Sequence, residues 1–134
     1  MHAKLLLLVT AYLEAAAGLF LLLLPTVVFA VLLGLDHAAV DTIFVGRLTG
    51  AALLAIGIAS WIARTGTLTQ AHLGLLTGIF VYDAAAAMLL AFAGAVLGMT
   101  GILLWPAVAL HAVLAIWCLS CLRTAPYSGR LGKN

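Results

Sequence analysis

Four long apolar segments constrain this chain more than any other feature of its sequence. They cover residues 5–24, 43–63, 73–97 and 102–122. Each comes close to or exceeds the roughly 20 residues that a helix needs to cross about 30 Å of hydrocarbon. Barrel strands would alternate apolar and polar residues, which these segments do not do. The sequence therefore predicts an all-α integral membrane protein, an antiparallel four-helix transmembrane bundle.

The composition excludes the other broad classes of protein. Of 134 residues, 66% are hydrophobic and only 7% are charged, whereas soluble domains carry about 25% charged residues. So few charges cannot cover a water-facing surface, and no basic stripe is present to bind nucleic acid. We expect a single transmembrane domain, residues 1–123, with the lipid bilayer as its partner, followed by a polar cytoplasmic tail, residues 124–134.

The distribution of Lys and Arg predicts the orientation of the spans. With both termini inside, all but one of the cationic residues lie on the cytoplasmic side, namely Lys4, Arg64, Arg123, Arg130 and Lys133. The positive-inside rule therefore favours an N-in/C-in topology, which we assign to a bacterial inner membrane. The first segment is too long and too acidic for a cleaved signal peptide. Residues 26–42, which are apolar at first and turn polar at Asp36 and His37, predict a short helix at the outer interface or a continuation of the first span beyond a proline kink.

Three ionisable residues, Glu14, Asp83 and His111, lie in the middle of predicted spans. At about 1.5 Å per residue, all three are roughly 14–17 Å from the cytoplasmic edge. A charge at that depth costs about 2.5–3.5 kcal/mol on insertion scales, so such residues are functional or paired with one another. The alternatives are a shared proton, cation or ligand site, or an interhelical pair that holds the bundle together. Because no paired-ligand spacing is present, we predict no metal and no cofactor.

Arg47 and two glycine pairs lie in the second and third spans. Arg47 is near the outer end of its span, where it can snorkel to the headgroups, pair with Asp41, anchor an anion or pair with Asp83. The GxxxG pairs allow close helix packing, either within the chain or between copies or partner subunits. The two pairs are Gly46 with Gly50 and Gly74 with Gly78.

A CxxC pair, Cys118 and Cys121, lies near the cytoplasmic end of the fourth span. The two thiols share one helical face, and a redox function would resemble that of the four-helix, quinone-linked thiol oxidoreductases. Such enzymes need a second cysteine pair, which this chain lacks, and the cytoplasmic side is reducing. We therefore expect these thiols to be small packing residues.

Residues 31–64 carry a resemblance to a known group of proteins. They contain Leu32-Leu33-Gly34-Leu35, Gly46-Arg47-Leu48-Thr49-Gly50-Ala51-Ala52 and Ala63-Arg64. This pattern resembles uncharacterised bacterial four-helix membrane proteins of the DoxX-like group. The resemblance implies the four-helix membrane fold but no assigned activity, and no residue here carries over the quinone-linked sulfur oxidation associated with the group's namesake.

Three classes of function are open at this stage. The first is an accessory or structural subunit of a membrane complex, which predicts internally paired polar residues and no cavity. The second is a small proton-coupled transporter using Glu14 and Asp83, similar in kind to small multidrug exporters with a glutamate in the first span. The third is a protein that binds a quinone or another apolar ligand, with His111 and Arg47 as polar contacts. An enzymatic role is not favoured.

Overall fold

A computed structural model describes residues 2–66 and 69–124, and this part of the chain is entirely helical apart from its connections. The helices are α1 (His2–Leu23), α2 (Pro25–Leu33), α3 (Val40–Ala63), α4 (Gln70–Ala95) and α5 (Leu104–Thr124). Helices α1, α3, α4 and α5 are long and apolar enough to span a membrane. The predicted all-α, four-span fold is confirmed. The predicted tail beyond Thr124, with Arg130 and Lys133, lies outside the described residues.

The apolar segment after the first span forms its own helix. Leu24, with φ −130° and ψ 50°, interrupts the helical path, and Pro25 begins α2 at a position where its missing N–H is not needed. Gly34 ends α2 in the left-handed conformation, with φ 74°, and its N–H donates to the Ala30 carbonyl. Such a conformation favours glycine. Helix α2 then lies over α3 and α5, where the Leu103 N–H donates to the Val31 carbonyl at 2.9 Å.

Helices α1 and α3 form a close pair because glycines remove the side chains between them. A Cβ atom on Gly18 would lie 2.6 Å from the Gly50 carbonyl oxygen, and one on Gly57 would lie 2.8 Å from the Ala15 nitrogen. Distances this short leave room only for backbone against backbone. The predicted close packing around Gly50 therefore occurs within the chain, between the first and second spans.

Helices α4 and α5 form the second pair, and the two pairs meet less extensively than the helices within each pair. At the end of the bundle where α1 begins, the two pairs meet through a cluster of buried apolar residues from α1, α4 and α5. It consists of Leu6, Leu7, Leu76, Ile79, Leu114, Cys118 and Cys121. This apolar cluster fills the half of the bundle that the predicted topology places toward the cytoplasm, whereas the other half is open.

Candidate functional site

The three mid-span ionisable residues converge where the two helix pairs meet. Glu14 comes from α1, Asp83 from α4 and His111 from α5, and each offers one oxygen or nitrogen atom within 4.8 Å of the others. Three different helices therefore contribute one polar group each to one point. The structure thus brings together the residues that their common depth had singled out.

Asp83 and Glu14 are buried at this point. Asp83 is 0% exposed and Glu14 is 4% exposed. Neither carboxyl oxygen of Asp83 has a hydrogen-bond partner among residues 2–66 and 69–124. A buried acceptor without a partner is unfavourable by about 1–3 kcal/mol, and by more when it is charged. Asp83 is therefore a group whose environment within the described chain leaves it unsatisfied.

His111 is held by its own helix in a defined orientation. Its Nδ1 lies 2.7 Å from the Ala107 carbonyl oxygen. A carbonyl only accepts, so this contact assigns the ring proton to Nδ1 and leaves the lone pair of a neutral imidazole on Nε2. The ring of Tyr82 meets the His111 ring edge-on, with centroids 5.8 Å apart and an interplanar angle of 65°. The imidazole thus has a defined orientation, with Nε2 as its acceptor nitrogen.

A cavity of about 1080 Å³ extends from these polar residues toward α2. Glu14, Tyr82 and His111 lie along it, and its other walls are predominantly Leu, Val, Ala and Phe side chains contributed by all five helices. On its rim, Phe20 is 58% exposed and Leu89 is 68% exposed. Inside a bilayer such a rim faces lipid, so the cavity is a mostly apolar chamber. Glu14, Tyr82 and His111 form one polar group on its wall, and Asp41 lines it separately from the first turn of α3.

Arg47, another predicted site residue, does not join this cluster. Arg47 is exposed and is not one of the described cavity-lining residues, although its neighbour Gly46 is. Gly46 and Gly50 are buried on one face of α3, and Arg47 lies about 100° around the helix from Gly46. The structure therefore does not bring Arg47 to Asp83, and the snorkelling and anion-anchor interpretations stay predictions.

The two cysteines are buried free thiols. The Cys118 thiol donates to the Leu76 carbonyl oxygen at 3.0 Å, which ties α5 to α4. Both cysteines belong to the apolar cluster in the closed half of the bundle. This environment is that of packing residues, whereas reactive thiols are exposed in electropositive surroundings.

Sequence reasoning did not assign Tyr82 to the site, nor did it single out two buried hydroxyl groups, those of Thr10 and Ser60, that lie outside the described cavity lining. Tyr82 lines the cavity. Tyrosines concentrate at the membrane interfaces, so the mid-span position of Tyr82 could have indicated a role in the site. The Thr10 and Ser60 hydroxyls are buried without a hydrogen-bond partner in the described ranges. Thr10 lies one turn before Glu14, but Ser60 carried no signal because a lone serine is ordinary in a transmembrane helix.

Comparisons of this chain with protein families, with curated proteins and with solved structures found no match. The resemblance to DoxX-like proteins therefore stays a prediction. The functional argument rests on the site itself.

Proposed function

We propose that this protein binds a small, apolar, membrane-soluble molecule that carries one hydrogen-bonding head group, as a quinone does. The apolar part would occupy the cavity, and the head group would meet Glu14, Tyr82 and His111. The observation that carries this proposal is a cavity of about 1080 Å³ with mostly apolar walls, on which Glu14, Tyr82 and His111 form one polar group.

The shape and chemistry of the cavity support this choice. Small-molecule sites have volumes of about 300–1,000 Å³ and combine mostly hydrophobic walls with a few fixed polar groups. This cavity lies just above the upper end of that range, and its exposed apolar rim offers entry from the bilayer. A strongly polar solute would lose its hydration against these walls without replacement hydrogen bonds. An amphipathic or apolar molecule avoids that penalty.

A proton-coupled carrier is the second candidate, because one carboxyl group belongs to both parts of the site. Glu14 lines the cavity and also has an oxygen within 4.8 Å of Asp83. A proton on either carboxyl group therefore changes the electrostatic environment of the other and of the cavity. The apolar cluster at the opposite end would have to open for transport to occur, as in alternating access.

The accessory-subunit hypothesis expects a closed interior with internally paired polar groups. Proximity of Glu14, Asp83 and His111 is compatible with it, but an open cavity favours the ligand-binding proposal. Both proposals assume a bacterial inner membrane. Purification from that membrane separates them, since an accessory subunit co-migrates with a larger complex, whereas a ligand-binding protein retains a small molecule.

The direct test of ligand binding is organic extraction of the purified full chain, followed by mass spectrometry. We expect one apolar molecule per chain in the wild type and its loss in Ala107→Phe, since Ala107 lines the cavity. Ala109→Phe is the matched control, because Ala109 is exposed on the same helix and is outside the set of described lining residues. Equal retention by both variants, or no molecule in the wild type, would contradict the proposal.

A further inference from the structure

We propose that Glu14, Asp83 and His111 bind a divalent first-row transition-metal ion such as Zn²⁺. This metal site shares Glu14 and His111 with the proposed head-group site, but it does not depend on the ligand proposal, because it requires only the three side chains and the metal ion. The reason to consider it is geometric, since one imidazole and two carboxyl groups from three helices offer ligand atoms within 4.8 Å of one another.

The set of donor atoms fits such an ion. Zn²⁺ is bound in proteins by histidine nitrogen and by Asp or Glu oxygen, and its non-structural sites use three protein ligands and an exchangeable fourth one. Two ionised carboxylates and one neutral imidazole carry a net charge of −2, which a divalent ion neutralises. Neutrality matters here because an uncompensated charge at mid-membrane is strongly unfavourable.

Asp83 supplies an independent indication that the site binds a ligand. It is 0% exposed, and neither of its oxygens is hydrogen-bonded within the described part of the chain. The cluster therefore contains a buried carboxyl group whose oxygens accept no hydrogen bond from the described residues. A metal ion among the three residues would satisfy at least one of these oxygens, whereas the interhelical-pair interpretation leaves both without a hydrogen bond.

His111 has the outer contact that metal-binding histidines use. Such histidines donate their second ring N–H to a carboxylate or a backbone carbonyl, which fixes the tautomer and the ring orientation. The Nδ1 of His111 is 2.7 Å from the Ala107 carbonyl oxygen. Its Nε2 is consequently the nitrogen that is free to bind a metal.

Binding requires a modest closure of the three side chains. Zinc lies about 2.0–2.2 Å from its nitrogen and oxygen ligands, which brings tetrahedral ligand atoms to roughly 3.5 Å from one another. The 4.8 Å limit observed here exceeds that value by an amount that side-chain rotation can supply. Glu14 and His111 also line the cavity, so the fourth position would face it and accept water or a head group.

The test is titration of Co²⁺ into the full chain, purified in detergent and stripped with a chelator. Co²⁺ is the probe because its d–d absorption reports coordination, and thiolate ligands add a distinct near-ultraviolet charge-transfer band. We expect one Co²⁺ per chain, d–d bands without the thiolate band, and displacement by Zn²⁺. Asp83→Asn and His111→Gln should weaken binding by more than about 100-fold, since loss of an outer-shell contact alone changes metal affinity by about 10–100-fold.

Matched variants identify the ligands. His37→Gln removes an exposed imidazole, and a Cys118→Ala, Cys121→Ala double variant removes both thiols, so both should bind Co²⁺ as the wild type does. No stoichiometric binding by the wild type would overturn the proposal. Binding that survives Asp83→Asn and His111→Gln, or that is lost with the cysteines, would also overturn it.

A measurement on the wild type guards against variants that fail to fold. Zn²⁺ added to chain labelled with ¹⁵N-histidine should shift the Nε2 resonance of one of the four histidines. A shift assigned to His111 supports the site, and a shift confined to other histidines overturns it. Since Ala107→Phe is expected to remove the apolar ligand without removing any of the three metal ligands, failure of one proposal is distinguishable from failure of the other.

Discussion

Glu14 and Asp83 place carboxyl oxygens within 4.8 Å of each other, although their helices belong to different packed pairs. Glu14 is on α1, which packs against α3, and Asp83 is on α4, which packs against α5. Two acids this close in a low-dielectric interior cannot both be ionised unless positive charge compensates them. Protons, a metal ion or the head group of a ligand can supply that compensation, and the following predictions distinguish among them.

The first prediction concerns the stability of the metal-free, ligand-free chain. Asp83→Leu should raise the free energy of unfolding by about 1–3 kcal/mol, because it removes a buried polar group that lacks a partner. Denaturation followed by circular dichroism measures this change. Asp41→Asn, at an exposed position, should change stability by less than about 0.5 kcal/mol. A large destabilisation by Asp83→Leu would mean that the carboxyl group is already satisfied.

The second prediction concerns the contact between α1 and α3. Gly50→Ala should destabilise the chain by about 1–3 kcal/mol, the usual effect of overpacking, because its Cβ would lie 2.7 Å from the Gly18 carbonyl oxygen. Gly78→Ala is the control, since a Cβ there meets nothing within 4 Å in the described chain. Thermal unfolding of both variants in the same detergent provides the comparison, and equal stability would contradict the observed packing.

The third prediction concerns self-association through glycine pairs. Gly46 and Gly50 are occupied by contacts within the chain, where added Cβ atoms would meet Phe29 and Gly18, whereas Gly74 and Gly78 face open space in the described structure. If copies associate through a glycine face, replacing Gly74 and Gly78 with Leu should reduce chemical cross-linking and leave helicity unchanged. Cross-linking that persists at the wild-type level would assign association to another surface.

The fourth prediction concerns the pH dependence of Co²⁺ binding. The titratable groups at the site are Glu14, Tyr82, Asp83 and His111, and metal ligands must be deprotonated to bind. Affinity should therefore fall as the pH is lowered from about 8 to about 6, because protons compete with the metal. Spectroscopic titrations at several pH values measure this effect. An affinity that does not change with pH would argue against histidine and carboxylate ligands.

The fifth prediction applies to the carrier proposal. Glu14→Gln should abolish pH-dependent flux of the extracted cavity molecule in proteoliposomes, because the amide cannot exchange a proton at this position. Asp36→Asn is the control, since Asp36 is exposed and lies outside the described cavity lining. Flux that remains pH-dependent in the Glu14 variant would remove Glu14 from the proton path.

The sequence by itself determined the class of fold. In a bilayer, a run of about 20 apolar residues forms a helix because the helix satisfies all of its backbone hydrogen bonds within the segment. The four spans therefore follow from local composition. Depth could also be predicted, because helical rise is constant, and this is why Glu14, Asp83 and His111 stood out together. Pro25 indicated a break in the helix, but it did not distinguish a separate outer helix from a kinked continuation of the first span.

Only the tertiary structure decided which faces of the helices meet. Equal depth does not imply contact, because helices can rotate and pair in several ways, and lipid is as apolar as their side chains. Packing left Arg47 exposed and apart from Asp83, covered Gly46 and Gly50, and left the space that all five helices enclose. A cavity exists where side chains fail to fill the space between helices, and that property depends on all five helices at once, so no segment of the sequence contains it.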